Sequence, residues 1–251
     1  MDLKDRVALV TGGGRGIGRA IALAMADAGC DVAVSARTPS EIEQVADDVR
    51  ARGGRGLPVR ADAMSEPDIR ASVETVVREL GRIDILVNNV GGMPATNDPD
   101  RQTLDTLALN LVSADRATRA ALPHMKRQAY GRVINIGSGS AKRTGASPAY
   151  TAAKHGIVGL TRATAALVAT QGITVNCLCP GWTNTSAVDW NVLAAAWKTD
   201  PETARARASG ESLQNRVLEP EELGPMAVLL ASPQASGITG QVISVDGGYK
   251  V

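Results

Sequence analysis

The sequence predicts an α/β fold: a doubly wound parallel sheet of about seven strands with helices on both faces. Short apolar runs alternate with longer amphipathic stretches, beginning with residues 7–10 and the helical pattern that follows them. Strands that alternate with helices at this spacing form a parallel sheet covered on both sides. A glycine-rich turn joins the first strand to the first helix, and no linker, repeat or low-complexity segment interrupts the chain. We therefore expect one domain over residues 1–251.

Composition limits the classes of function. Apolar residues make up 44% of the chain, but Phe is absent and Trp and Tyr number three each, so the core must be built from Ala, Val, Leu and Ile. A net charge of +1 with both signs scattered argues against a nucleic-acid partner. Three cysteines cannot form a disulfide framework and lack zinc-ligand spacing, so we expect buried thiols and no metal site. Residues 1–6 are charged and no apolar run reaches the length of a membrane helix, so we expect a cytoplasmic protein without a membrane partner.

The turn after the first strand carries the strongest functional signal. Residues 11–18 read TGGGRGIG, between an apolar strand and an amphipathic helix. This geometry places free N–H groups and the positive end of a helix dipole against a pyrophosphate, and glycines allow close approach. A nucleoside-triphosphate loop is excluded, because Arg19 and Ala20 follow where that loop needs a lysine and a hydroxyl. The G-x-G-x-x-G spacing is also absent, which leaves T-G-x-x-x-G-x-G or a turn without a ligand.

The second strand, residues 32–35, runs into Ala36 and Arg37. Here a dinucleotide-binding fold contacts the adenosine ribose: a carboxylate accepts hydrogen bonds from the hydroxyls of NAD, and a basic residue accommodates the 2′-phosphate of NADP. No carboxylate follows this strand, and Arg15 in the glycine turn supplies a second cation. Two solvated surface arginines are the alternative. We interpret the pair as a site for NADP(H) rather than NAD(H).

The remaining elements follow in order. Thr38 begins the second helix, which stops at residues 53–54, and Ser65 begins the third, which Gly81 ends. Further strands are predicted at residues 57–59, 85–87, 133–136, 173–178 and 241–245, and further helices at residues 102–124, 148–169 and from 219 onward. In the helix at 102–124, the side chains expected to face inward are those of Leu104, Leu107, Ala108, Leu111 and Val112, with Asn110 among them. Residues 182–218 show weak periodicity, which predicts a functional flap.

In order and spacing, these motifs identify a family. The chain resembles the short-chain dehydrogenase/reductases over essentially its whole length, through TGGGRGIG, NNVG at 88–91, Asn110, Ser138, Tyr150 with Lys154, Pro180 and Gly181 with Thr185, and GQVISVDGG at 240–248. Val90 stands where the family usually has Ala, and Thr183 replaces an aliphatic residue. The pattern is most similar to that of 3-oxoacyl carrier-protein reductases and related ketoreductases. The resemblance implies a Rossmann fold.

The resemblance implies a catalytic set of Asn110, Ser138, Tyr150 and Lys154. Tyrosine is ordinarily a weak acid, and a lysine ammonium one helical turn away favours its phenolate. Tyr150 would therefore give a proton in reduction and take one in oxidation, and Lys154 would also hold the ribose hydroxyls. Ser138 would hydrogen-bond the substrate oxygen, with Ser140 as the alternative in a less favourable position. Asn110 would hold a water that passes protons to Lys154.

The resemblance also implies which residues contact the cofactor. Asp62 is placed to hydrogen-bond an adenine edge, and the backbone of Thr183 to serve the nicotinamide carboxamide. The complete expected set is Thr11, Gly12, Gly14, Arg15, Gly16, Ile17, Gly18, Arg37, Asp62, Ala63, Asn89, Gly91, Tyr150, Lys154, Pro180, Gly181, Thr183 and Thr185.

We therefore expect an NADP(H)-dependent oxidoreductase that interconverts a ketone and a secondary alcohol, with a 3-oxoacyl thioester as one candidate substrate. An NAD-dependent secondary-alcohol or sugar dehydrogenase is one alternative, and a catalytically inactive dinucleotide-binding regulator is another. The intact catalytic set argues against the regulator. The substrate should be determined by residues 182–218 and the end of the loop at 88–96. Trp182, Trp190 and Trp197 either supply apolar surface there or fix the flap to the body.

The helix at 148–169 predicts self-association. Its apolar residues cannot all lie on one stripe: Ile157, Val158, Leu160, Ala163, Leu167 and Val168. One side can pack on the sheet, and the other needs a partner; in the family, this helix and the preceding long one pair across a two-fold axis. We expect a homotetramer, with coverage by the chain's own last helix as the alternative.

Overall fold

The computed structural model describes residues 1–94, 96, 98–145 and 147–250, and within them seven parallel strands form one sheet. The strands are β1 (Val7–Thr11), β2 (Asp31–Ala36), β3 (Gly56–Arg60), β4 (Ile85–Asn88), β5 (Gly131–Ile136), β6 (Ile173–Pro180) and β7 (Val242–Val245). Their order across the sheet is β3-β2-β1-β4-β5-β6-β7, so the chain reverses its direction of travel between β1 and β4. The predicted strands are confirmed, each within a few residues of its expected bounds. Ala95, in the loop predicted at 88–96, lies outside the described residues.

Helices cover both faces of the sheet, as the sequence predicts. They are α1 (Gly16–Asp27), α2 (Pro39–Arg50), α3 (Glu66–Leu80), α4 (Pro99–Leu107), α5 (Ser113–Arg127), α6 (Pro148–Val168), α7 (Trp190–Trp197), α8 (Pro201–Gly210) and α9 (Gly224–Ala231). Ala8 and Val10 of β1 face the core shared with α1, α2 and α9, whereas Val7 and Leu9 face the core shared with α3, α5 and α6. Alternation along a strand thus supplies both cores from one apolar run.

Several helix ends carry the signals that the sequence shows. The Ser65 hydroxyl accepts a hydrogen bond from the Asp68 N–H, and Gly81 ends α3 with φ +85°. Before α9, a 3₁₀ turn at Pro220–Leu223 begins with a reciprocal capping box between Glu219 and Glu222. Thr38 differs from its expected role, because it precedes α2 but its side chain makes no capping hydrogen bond.

The helix predicted at 102–124 is longer and is interrupted. A π-helical segment, Ala108–Val112, separates α4 from α5. The predicted inward face is wrong at Leu104, which is 67% exposed, and the four other residues of that set are only partly buried. The face that packs on the sheet is made of small and polar residues, so the more apolar stripe that contains Leu104 is not the buried one. The buried positions are Thr106, Asn110, Ser113, Ala114, Ala117, Thr118 and Ala121.

The segment predicted as a flap contains regular structure. Residues 182–218 hold α7 and α8, and a bridge between Thr183 and Leu218 closes their base. Arg216 binds Glu222 through hydrogen bonds of 2.6 and 2.7 Å, and this pairing lowers the pKa of the Glu222 carboxyl to about 2. None of the helices in the described residues is long and apolar enough to span a membrane.

A buried carboxylate stabilises the amino ends of the central strands. Asp84 is fully buried and accepts hydrogen bonds from the Val7 N–H at 3.0 Å, from Arg82 at 2.7 Å and from Arg6 at 3.3 Å. Tyr130 lies between two guanidinium groups, those of Arg6 at 3.8 Å and Arg132 at 4.2 Å from the ring centre. One carboxylate therefore connects the start of β1 to the residues before β4.

We predict that Asp84→Asn lowers the free energy of unfolding by about 1–3 kcal/mol, because an amide offers one acceptor atom to two guanidinium groups. The matched control is Glu79→Gln, which removes a surface carboxylate paired with Arg78 and should change that free energy by less than about 0.5 kcal/mol. Urea denaturation of both variants tests this. Equal losses in the two would contradict a special role for Asp84.

Candidate active site

A cavity of about 800 Å³ opens at the carboxyl ends of the strands. Each central strand contributes a residue at or just beyond its end: Thr11 for β1, Arg37 for β2, Asn89 for β4, Ser138 for β5 and Gly181 for β6. Open α/β sheets bind their ligands at this edge, where the strand order reverses. The cavity also has the size of a small-molecule site.

The glycine turn forms the floor of the cavity. Gly12 has φ +63°, a conformation that residues with a Cβ seldom adopt. The Asn89 amide donates to the carbonyls of Thr11 and Gly12, at 3.0 Å each, and so holds the turn against the end of β4. Arg15 precedes α1 without a side-chain capping bond, so the first N–H groups of α1 stay available to an anion. Thr185 lies beside Gly16, within 3.4 Å of where a Cβ would be.

Gly18 was expected to contact a cofactor, but it does not line the cavity. A Cβ at this position would come within 2.3 Å of the Gly12 carbonyl oxygen and 2.5 Å of the Asn89 amide nitrogen. Gly18 is therefore a packing position that lets α1 approach the glycine turn.

The end of the cavity beside β2 contains both predicted arginines and one unpredicted carboxylate. Glu41 in the first turn of α2 lies 3.7 Å from the Arg15 guanidinium, and its carboxylate would be 3.2 Å from a Cβ on Gly14. Arg37 is exposed and has no ion pair within the described part of the chain. Sequence reasoning identified Glu41 only as part of a helix start, although its distance from Arg37 along the chain could have placed it here.

Asp62 and Ala63 line the same end of the cavity, as predicted. Asp62 accepts a hydrogen bond from the Met64 N–H at 2.9 Å through one carboxylate oxygen. Its own N–H donates to Asp68 at 3.0 Å, so α3 fixes its position.

Ser138, Tyr150 and Lys154 come together on one wall. Tyr150 and Lys154 lie one turn apart on α6, and the Lys154 Nζ is 5.6 Å from the Tyr150 ring centre. Lys154 is 3% exposed and donates to the Ile136 carbonyl at 2.9 Å. The Tyr150 hydroxyl has no hydrogen-bond partner among the described residues and lines the cavity. Ser147 caps α6 by accepting from the Tyr150 N–H at 3.4 Å, which fixes the turn that carries the phenol.

Ser138 and Ser140 both line the cavity, so position alone does not separate them. The Ser138 hydroxyl accepts from the Ser140 N–H at 3.1 Å and keeps its own proton to donate. The Ser140 Oγ instead packs against Gly145, 2.2 Å from where a Cβ would lie. The residue before them, Gly137, contacts the thiols of Cys177 and Cys179. All three cysteines are buried and free, as expected.

Asn110 lies behind this wall rather than in it. It is 1% exposed, and its amide binds the main chain of Gly92 through both ends, at 2.7 and 2.9 Å, and the Thr106 carbonyl at 2.9 Å. Gly91 separates it from Lys154: a Cβ on Gly91 would be 2.8 Å from the Asn110 amide oxygen and 3.1 Å from the Lys154 nitrogen. The Asn110 side chain thus fixes the loop after β4. The rest of the expected set lines the cavity, including Ile17, Pro180, Gly181 and Thr183.

The end of the cavity lined by the flap residues 182–218, the outer end, carries aromatic side chains. The Trp182 ring lies 6.2 Å from Trp190 and 6.0 Å from Trp197, edge-on to the latter. Trp182 and Trp197 line the cavity, whereas Trp190 does not, so the cluster both supplies surface and holds the flap together. Met93, Arg207 and Glu211 also line the cavity and lie in the two segments expected to determine the substrate, whereas Tyr249 and Lys250 were missed because no motif marks them.

Comparison with known proteins gives matches over nearly the whole chain. Residues 12–250 match the family model described as enoyl-(acyl carrier protein) reductase. The chain is 36% identical to the short-chain reductase protein NovJ of Streptomyces niveus, covering 98% of this chain and 94% of that protein. It is 35% identical to the 3-oxoacyl-[acyl-carrier-protein] reductase FabG of Pseudomonas aeruginosa, covering 99% and 98%. A variant of the actinorhodin polyketide ketoreductase, crystallised with NADPH, superposes with a TM-score of 0.92 at 35% identity, covering 100% and 99%.

Proposed function

The chain belongs to the short-chain dehydrogenase/reductase family, and from that membership we propose that it is an NADP(H)-dependent enzyme that interconverts a ketone and a secondary alcohol. The observation that carries the proposal is that the Tyr150 hydroxyl has no hydrogen-bond partner among the described residues, while the buried Lys154 ammonium lies 5.6 Å from the Tyr150 ring centre. A catalytically inactive dinucleotide-binding regulator has no need of this arrangement. A 3-oxoacyl thioester is one candidate substrate, in keeping with the similarity to FabG.

The residues at the glycine turn fit a dinucleotide. The open N–H groups at the start of α1 suit a pyrophosphate, and Thr185 beside Gly16 can add a hydroxyl. Asp62 would hydrogen-bond an adenine amino group, and Lys154 the ribose hydroxyls. When bound, the nicotinamide supplies or accepts the hydride.

The proton chemistry belongs to the chain's own residues. Tyr150 would donate its hydroxyl proton to the substrate oxygen in reduction and take it back in oxidation. The Lys154 ammonium stabilises the phenolate that remains, and Ser138 donates a hydrogen bond to the same substrate oxygen. The Asn110 amide is committed to Gly92 and Thr106, so any water that Asn110 holds for Lys154 must bind its main chain.

The preference for NADP(H) rests on Arg37. No carboxylate follows β2, and a guanidinium without an acidic partner suits a 2′-phosphate. Glu41 is the observation that favours the alternative NAD-dependent dehydrogenase, because it already binds Arg15 and repels a phosphate. Glu41 thus partly neutralises the charge of Arg15, so we assign the preference for NADP(H) over NAD(H) to Arg37.

Tyr150→Phe should lower kcat by at least ~100-fold, because it deletes the exchangeable proton and keeps the ring. The dissociation constant for NADPH, measured by fluorescence titration, should stay nearly unchanged. Lys154→Ala should impair both turnover and cofactor binding. If the Tyr150→Phe enzyme kept most of its activity, the proton donor would have to be a group other than Tyr150.

Arg37→Ala should weaken NADPH binding by about ten- to a hundredfold, because the variant loses one or more charge-assisted hydrogen bonds to the 2′-phosphate. NADH binding should change little, because NADH carries no 2′-phosphate. Ala36→Asp should shift the preference toward NADH by adding a ribose acceptor that repels the phosphate. Arg78→Ala, on the exposed side of α3, controls for the loss of one positive charge. A higher kcat/KM for NADH than for NADPH in the unmodified enzyme would refute this cofactor assignment.

Self-association should produce a homotetramer. Leu104 of α4 and Leu167 of α6 are 67% and 75% exposed, and Val158 and Leu160 on α6 are only partly buried. Multi-angle light scattering should report four times the 26.0 kDa chain mass. Leu167→Glu should lower that mass, whereas Leu213→Glu, also at a 75% exposed leucine, should not. A 26.0 kDa species alone in the unmodified protein would exclude this assembly.

A further inference from the structure

The cavity concentrates the chain's aromatic residues, three of them near its outer end. The sequence has three Trp, three Tyr and no Phe, and four of these six line this cavity: Tyr150, Trp182, Trp197 and Tyr249. Met93 and Val192, which are 62% and 64% exposed, line it as well. Large apolar side chains left exposed beside a cavity mark a binding surface for an apolar ligand.

The aromatic wall is held in place before any ligand arrives. The Trp182 indole N–H donates to Glu211 at 2.7 Å, and its ring meets Trp197 edge-on at an interplanar angle of 89°. Glu211 also pairs with Lys250 at 3.2 Å. Rigid indoles present flat faces and edges that favour stacking or edge contact with a second ring.

Arg207 is the charged group of this wall that remains available. Its guanidinium lies 4.6 Å from the Trp197 ring centre, its side chain is exposed, and it lines the cavity. Within the described residues it has no ion pair, whereas Lys250 is engaged by Glu211. A further carboxylate at this end, that of Asp189, caps α7 by accepting a hydrogen bond from the Asn191 N–H at 2.9 Å. A guanidinium stacked on an indole keeps its N–H edge for a planar anion.

We infer that the enzyme selects ketones, or the corresponding alcohols, that carry an aromatic ring and a carboxylate remote from the reacting carbon. The ring packs on Trp182 and Trp197, and the carboxylate binds Arg207. This inference rests on the proposed ketone–alcohol function and names the substrate class of the same cavity.

Tryptophan fluorescence tests it directly, because all three tryptophans of the chain lie in this cluster. The probes are para-acetylbenzoate and homologues with one to four methylenes before the carboxylate, each beside its methyl ester, titrated into the enzyme with NADP⁺. At least one acid should bind about ten- to a hundredfold more tightly than its ester, the effect of a charge-assisted hydrogen bond. The saturated analogue, acetylcyclohexanecarboxylate, should bind more weakly than para-acetylbenzoate.

Arg207→Gln should abolish the preference for the acid. Arg205→Gln is the matched control, because Arg205 lies on the same helix but does not line the cavity, and it should preserve the preference. Acids that bind no better than their esters throughout the series, or equal losses in the two variants, would overturn the role of Arg207. Equal binding of the aromatic and saturated acids would overturn the role of the ring.

Turnover separates this inference from the proposed function. In an NADPH-oxidation assay the favoured acid should have the higher kcat/KM, and Arg207→Gln should lower that constant mainly through KM. Equal kcat/KM for acid and ester would reject the substrate class and leave the ketone reductase standing. Tight, Arg207-dependent binding of an acid with no turnover of any ketone would reject the reductase instead.

Discussion

The buried ammonium of Lys154 is the constraint on which the rest of the site depends. A charge removed from water needs close polar partners, and this one has the Ile136 carbonyl at 2.9 Å while its side chain is 3% exposed. Gly91 limits it on another side, since any Cβ there would come within 3.1 Å of the nitrogen. A single atom, the Lys154 Nζ, therefore lies between the ends of β4 and β5 and the first turns of α6 and fixes their spacing. Tyr150, one turn earlier on α6, is held at the cavity wall as a consequence.

Asn110 extends the same constraint to the loop after β4. Its amide binds the main chain of Gly92 with both a donor and an acceptor, so the loop cannot shift without breaking two partly buried hydrogen bonds. The residue lies at the centre of the π-helical segment Ala108–Val112. Single π turns persist in helices mostly where a functional site favours them, because their backbone geometry is less favourable. Here Asn110, one of the buried residues of this helix, lies within the segment and binds the loop after β4.

Local signals made the fold and most of the site predictable. Strand runs, the glycine turn and caps such as Ser65 depend on neighbouring residues alone, and the structure contains them. Leu104 was misassigned because the buried face of this helix consists of small and polar residues such as Thr106, Asn110 and Ser113, so the most apolar stripe is not the one that packs on the sheet. Helices α7 and α8 escaped detection because they are short and their apolar residues do not form one stripe. Arg207 lies in the segment expected to determine the substrate, but its place at the cavity depends on tertiary packing, which no spacing along the chain reveals.

Aromatic side chains are scarce in the two main cores and concentrated at the outer end of the cavity, so the packing of the sheet does not depend on them. The two main cores are built almost wholly from Ala, Val, Leu and Ile, so strands and helices approach closely around the sheet. The flap is attached by contacts of its own: the bridge between Thr183 and Leu218, the Arg216–Glu222 pair and the Trp182–Glu211 hydrogen bond. Its three tryptophans pack on one another, with Trp182 between Trp190 and Trp197 in the contact order. Substitutions in α7 and α8 can therefore change which substrate fits without disturbing Lys154 or the glycine turn, because these two helices pack mainly on each other, whereas Thr185 at the base of the flap lies against Gly16.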